Sequence, residues 1–199
     1  MTMIQSIIGT SIYTNSGGGG WGAGVDPGSG ISFSSIPGSP VSGLWRRKYN
    51  YYFADDIAGL LAASPASAGQ DTDFAFSTNS EDDFSLMWTG YFSPPGNGRT
   101  KFRTTSDDSS YFWIGTDALT GSSISNVDIN NGGLHGTTTI ESTDVFALNY
   151  NLWYPIRAMF GESNGAETFN MEYNFEEQGW YPFPIVNCSY NASNAVDGF

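Results

Sequence analysis

The sequence predicts an all-β protein, an antiparallel sandwich or closed barrel behind an extended N-terminal arm. Three observations carry this. Aromatic residues make up 16% of the 199-residue chain and charged residues 14%, with 25 glycines and 9 prolines, a balance that suits short strands joined by tight turns. Apolar and alternating runs recur between turn signals, and "AETFNMEYNFEE" sets Phe169, Met171, Tyr173 and Phe175 on one face with a period of two. The one helical pattern is "DDIAGLLAASPASAG" at 55–69, which Pro65 stops.

Residues 1–42 form the arm. "NSGGGGWGAGVDPGSG" is dominated by glycine and "SSIPGSPVSG" adds the prolines of an extended segment. A free linker seldom carries Trp21 or the apolar "IQSII" (Ile4 to Ile8), and Tyr13 and Phe33 also interrupt it. The arm is therefore expected to dock, either on its own domain or on a neighbouring subunit. Trp21, with Arg46 and Arg47 of the basic cluster at the junction, forms the candidate assembly contact in a homo-oligomer or larger assembly.

From Gly43 the pattern changes. "GLWRRKYNYYFAD" is aromatic and mixed, and "FSLMWTGYF" (84–92) is an apolar run of strand length. "PPGNG" (94–98) is a turn, followed by the strand "RTKFRTTS". "SYFWIGTDAL" reads as the next strand, "GTTTIESTDVFALNYNLWYPIRAMFG" as two or three more, and "AETFNMEYNFEE" as the last. These make about eight strands over 43–186, with 187–199 as a C-terminal tail that ends on an aromatic residue.

Net charge is −13, which repels a nucleic-acid backbone and makes a cation the natural small partner; it also serves solubility. Cys188 is the single cysteine, so no intrachain disulfide forms. The first twenty residues lack the basic and apolar regions of a secretory signal, and no run approaches the ~18–20 apolar residues that cross a bilayer. Work on an extracellular or virion surface would then need another route of delivery. Catalytic sets are weak: His135 lies in the glycine-rich "NNGGLHGTTT", and "EDD" (81–83) and "EE" (176–177) fall at strand ends, where acids are ordinarily solvated. "SGGGGWGAG" has no following Lys-Ser/Thr and is no phosphate loop, and "NCS" and "NAS" fit the glycosylation pattern without a signal to give it meaning. The chain is read as non-enzymatic.

"TKFRTTSDDSSYFWIG" (100–115) poses the sharper question, because Asp107 and Asp108 adjoin in a strand-like segment. Either they make a turn by capping backbone amides, or they hold something positive. The order of the segments resembles the PA14 domain, a β-sandwich of bacterial toxins, glycosidases and adhesins and of fungal flocculins. "GLWRRKYNYYF" resembles the family's opening strand. "FSLMWTGYFSPPGNGRTKFRTTSDDSSYFWIG" is similar to its central signature: Trp-x-Gly-Tyr, a proline-glycine turn, then Phe-x-x-x-Ser-Asp-Asp and an aromatic strand. "NYNLWYPIRAMF" resembles its Tyr-Pro-Ile-Arg strand and "NGAETFNMEYNF" its closing strand, so the likeness spans about 43–176.

The resemblance implies a cis peptide between Asp107 and Asp108, with both carboxylates on one Ca²⁺. It puts Asn164, in the loop "GESNGAE", at the position of the family's third ligand, with Glu162 and Glu167 as further acids beside it. A Ca²⁺ so held binds vicinal sugar hydroxyls. Tyr111, Trp113 and Trp153 are the candidate rings to stack on a sugar, and Glu162 a further ligand contact, although for each of the three aromatics ordinary core packing is the favoured alternative. The expected function is calcium-dependent binding of a cell-surface glycan. The rival expectation is a structural subunit of a phage virion or extracellular filament that displays this domain and assembles through its arm.

Overall fold

The structure is a computed structural model that describes residues 20–78, 80–194 and 197–199. Fifteen strands occur among them. In chain order they are β1 (Ile31–Ser32), β2 (Pro40–Ser42), β3 (Leu44–Tyr49), β4 (Ser67–Asp71), β5 (Phe76–Thr78), β6 (Phe84–Phe92), β7 (Gly98–Asp107) and β8 (Ser109–Ile114). Then follow β9 (Ile129–Asn131), β10 (Thr138–Glu141), β11 (Phe146–Leu148), β12 (Leu152–Glu162), β13 (Glu167–Phe175), β14 (Trp180–Pro182) and β15 (Cys188–Asn191). Two short helices, α1 (Ile57–Ala62) and α2 (Thr116–Leu119), lie between strands.

The strands form two sheets. The larger runs β2-β15-β6-β12-β8-β9, with β1 added on β12 and β3 paired with both β4 and β6. The smaller runs β10-β7-β13-β14, with β11 on β7 and β5 on β13. The long pairings are antiparallel, as expected of an all-β sandwich. Between the sheets lies an apolar core fed by Phe84, Leu86, Trp88 and Phe92 of β6, by Ile156, Ala158 and Phe160 of β12, and by Phe169 and Met171 of β13. Trp88 stacks on Phe169 at 5.0 Å and 11°, and Phe74 meets both rings edge-on. Each buried ring of this kind contributes about 1.5–3 kcal/mol through the apolar area removed from water.

Every residue of β6 is buried, the polar Ser85 and Thr89 included. Its outer face is covered too: Met87 joins Tyr49, Phe53, Ile57, Leu60, Tyr111, Trp113, Ala118 and Met159 in a second cluster. Helix α1 supplies Ile57 and Leu60 to that cluster, and the Asp56 side chain caps it by accepting from the Gly59 N–H at 2.8 Å. The helical pattern at 55–69 thus yields a shorter element than expected. Ala63 is already extended, and Ser67–Asp71 pairs with β3 as a strand.

About eight strands were expected and fifteen occur, because the additional ones are short pieces recruited by a neighbour. "SAGQD" has no strand propensity of its own; β3 supplies its partners. The described part of the arm docks on the domain of its own chain. The Val25 N–H donates to the Val145 carbonyl, Ile31 pairs with Trp153 in β1, and Pro40–Ser42 pairs with β15. Gly115 (φ +80°) has no side chain because the arm passes directly over it, with the Thr116 N–H on the Pro27 carbonyl. Ile4 to Ile8 and Tyr13 lie outside the described residues. At the other terminus Phe199 is buried beside Ile36 and Tyr91.

Candidate functional site

β7 belongs to the smaller sheet and β8 to the larger, and Asp108 alone separates them. The two acids therefore occupy a one-residue corner at one end of the sandwich, where the chain crosses between sheets. The peptide joining them is cis. Behind the corner runs a buried polar ladder in place of apolar packing. Ser110 Oγ donates to Thr104 Oγ1 at 2.9 Å and shares a hydrogen bond with Ser106 Oγ at 2.7 Å, while Asn131 Nδ2 donates to Ser106 Oγ at 2.8 Å. Each buried hydroxyl in this ladder has a partner, which makes the hairpin rigid and fixes the direction of the acids.

Asp108 is buried, at 6% exposure, and ties three segments together. Its Oδ1 accepts the His135 N–H at 3.0 Å, its Oδ2 accepts the Ser163 N–H at 3.1 Å, and its own N–H donates to Glu162 Oε2 at 3.2 Å. Asp107 lies nearer the surface and receives the Thr137 hydroxyl on Oδ2 at 3.3 Å. Asn164 is exposed, one residue beyond the Ser163 amide that meets Asp108. The loop is also held from the β5–β6 side, where Gly165 N–H donates to Asp82 Oδ1 at 3.0 Å. The structure thus brings the loops 131–137 and 162–167 to the acidic corner.

Electrostatically the corner is negative. Glu162 is fully buried, and its Oε1 has no hydrogen-bond partner among the described residues. Burial, then the charge of Asp108, pushes its carboxyl up to about 7 against the pull of the Asp108 N–H. None of the ion pairs among the described residues involves Asp107, Asp108 or Glu162. An orphaned buried oxygen, two adjacent carboxylates and an exposed amide are oxygen donors of the type a hard divalent cation takes and so suit Ca²⁺ in kind. No group of three or more acids, histidines or cysteines, however, is spaced to hold a metal among the described residues. Glu167 is different: the amides of Ser80 and Glu81 donate to its Oε1 at 2.9 and 2.8 Å, making it an internal loop anchor.

Other expectations need correction. Tyr111 and Trp113 are 1% and 0% exposed and pack in the cluster beneath α1, so neither offers a ring to a ligand. Trp153 stands near the start of β12, whereas Glu162 ends it, so the two are at opposite ends of a strand of eleven residues. Trp153 borders a separate groove of about 530 Å³ with Pro94, Pro95, Tyr150 and Val186. Arg47 is buried at 6% exposure and cannot serve as an assembly contact; the preceding residue, Arg46, is exposed and pairs with Asp71 at 3.4 Å. Trp21 is half-buried, and its N–H donates to Glu177 Oε1 at 2.8 Å. The acids "EE" are not merely solvated: Arg99 bridges Glu176 at 2.9 Å, Glu177 at 3.3 Å and the Trp21 carbonyl at 2.5 Å, clamping the arm. The sequence reading also missed Thr137 and the His135 amide, for which the only signal was a glycine-rich loop beside a threonine run.

The GLEYA domain family model matches residues 84–174, which include β6 through nearly all of β13. No curated protein matches the chain. Among solved structures, the Epithelial Adhesin 6 A domain from Candida glabrata, in complex with Galb1-3GlcNAc, superposes with a TM-score of 0.64 at 14% identity, over 87% of this chain and 95% of that one. A PA14 sugar-binding domain from an RTX adhesin gives 0.56 at 14% identity, over 75% and 98%. An anti-sigma factor domain-containing protein from Clostridium clariflavum gives 0.59 at 18% identity over 77% of this chain, which spans about half (49%) of that protein's length. The fold is the PA14-like β-sandwich.

Proposed function

We propose that this domain is a non-enzymatic glycan-binding adhesion module that holds its ligand at the Asp107–Asp108 corner through Ca²⁺. The observation that carries the reading is the corner itself: adjacent carboxylates at a sheet-to-sheet crossing, with Glu162 Oε1 orphaned behind them and Asn164 exposed beside them. Adhesin domains with this fold, among them one in complex with Galb1-3GlcNAc, support a sugar as the ligand.

Asp107, Asp108 and Asn164 would hold the ion. Bound there, Ca²⁺ supplies a hard positive centre that accepts neutral hydroxyl oxygens. The chain's own work is positioning. Asp108 is fixed by two amides and so presents its remaining lone pairs in one direction. The serine–threonine ladder keeps the β7–β8 hairpin from relaxing under carboxylate repulsion. With Tyr111 and Trp113 buried, the apolar face of a sugar must be met by the rim loops, not by the β8 aromatics.

Calorimetry on the full chain tests the metal. Titration with CaCl₂ is expected to give saturable heat at one ion per chain, lost in Asp107→Asn. No heat from the wild type, or equal heat from the variant, rules the reading out.

A further inference from the structure

Two guanidinium groups lie buried on the outer face of the larger sheet. Arg47 (β3) and Arg157 (β12) are each 6% exposed. Both reach the same thioether: Arg47 Nη2 stands 3.0 Å and Arg157 Nη1 3.7 Å from Met87 Sδ, a weak acceptor. Register places Arg47 opposite Met87 and Arg157 opposite Thr89, so the two cations occupy neighbouring positions across β6.

Burial of one unpaired charge costs several kcal/mol, and two like charges side by side cost more. Compensation here is incomplete. Arg157 Nε donates to the Ala118 carbonyl at 3.1 Å, and its guanidinium lies 5.4 Å from the Phe199 ring. Asp197 is the single acid whose charge bears on Arg157, and neither arginine forms a salt bridge among the described residues. Arg47 Nε is buried with no partner among the described residues. Two residues along β3, and so on the same face, the Tyr49 hydroxyl is also buried without a partner, close enough to feel both arginine charges. Burial and then Arg47 lower the Arg157 guanidinium to about 10, in keeping with two crowded cations.

Donors are in excess, acceptors are short and the uncompensated charge is positive, in a chain whose net charge is −13. Such a cluster calls for an anion. We propose that Arg47, Arg157 and the Tyr49 hydroxyl form an anion-binding site for a small inorganic anion or a carboxylate group, independent of the acidic corner. The anion accepts from Arg47 Nε–H and Tyr49 Oη–H, and it neutralises the second guanidinium that Asp197 leaves uncovered.

Crystals of the full chain soaked in bromide test this directly. The expected result is an anomalous peak within about 3.5 Å of Arg47 Nε that acetate or phosphate displaces. In solution, chloride, acetate and phosphate should each raise Tm saturably, by about 5 °C well above the dissociation constant. Arg47→Met, which keeps an unbranched stem, should abolish the rise. Tyr49→Phe, which removes one hydroxyl and leaves both charges, should weaken the anion several-fold, and it serves if Arg47→Met fails to fold. A map with only water at Arg47, or a Tm rise that both variants retain in full, overturns the proposal.

Discussion

Asp128 and Glu167 are both largely screened from water, yet their carboxyls move in opposite directions. Burial raises Asp128 from 3.8 to about 7, against the pull of the single Ile114 N–H on Oδ2 at 2.8 Å, and Asp117 and Asp144 add repulsion. Burial would raise Glu167 as well, but the amides of Ser80, Glu81 and its own residue outweigh it and hold that carboxyl at about 2. The signs follow. Asp128 binds its proton more tightly in the folded chain, so its contribution falls as pH rises from about 4 to 7. Asp128→Asn, which keeps an oxygen for the Ile114 amide, should therefore be more stable than wild type at pH 8, by about 1–3 kcal/mol in denaturant titrations. That advantage should vanish near pH 4, and a difference independent of pH would contradict the account. Glu167 stabilises above its ordinary 4.5, and this is lost as pH falls towards 2. Glu167→Gln should cost about 1–3 kcal/mol at pH 7, because the Ser80 and Glu81 amides lose a charged acceptor. At this scale the resemblance directed attention to Asp107, Asp108 and Asn164, and the structure brings the 162–167 loop to the Asp107–Asp108 corner. The sequence misled for Tyr111 and Trp113: an aromatic on a strand looks alike whether its face meets solvent or α1, and only tertiary placement decides.

Among the elements, those with their own signal were legible. β6, β7, β12 and β13 follow from apolar runs, turns and alternation, and the Phe169–Met171 face of β13 points inward as its period requires. The β7 alternation was harder to read, because its inward residues include Thr100, Thr104 and Ser106, all fully buried and polar by type. β1, β2, β4 and β15 have no period long enough to detect and exist through their partners. The arm illustrates the consequence. Ile36 is 4% exposed against Tyr91 and Phe199, so residues 20–42 contribute to the core as well as to the edge of the larger sheet. Ile36→Ala should cost about 2–4 kcal/mol and lower Tm by roughly 5–15 °C. A Tm within one degree of wild type would mean that the arm is not docked in solution. Removal of the whole arm is accordingly a poor way to isolate the domain, since it strips two strands and one side of that cluster.

Over the whole molecule, charge is sorted by place. Four of the acids, Asp82, Asp107, Asp108 and Glu162, meet at one end without a basic partner among the described residues, while two arginines lie buried on the outer face of the larger sheet. Composition announced the excess but could not say where it fell, because location depends on which loops the crossing from β7 to β8 draws together. The sandwich fixes that crossing and so fixes where the acids gather. The central claim is that glycan recognition there requires calcium. Its most direct test is retention of the full chain on an array of β-linked galactosides and other glycans, with Ca²⁺ and again with EDTA. Retention should occur with Ca²⁺, fall to background with EDTA and be absent in Asp107→Asn at any calcium concentration. Equal retention in EDTA, or an Asp107→Asn chain that binds as well as wild type, would contradict it.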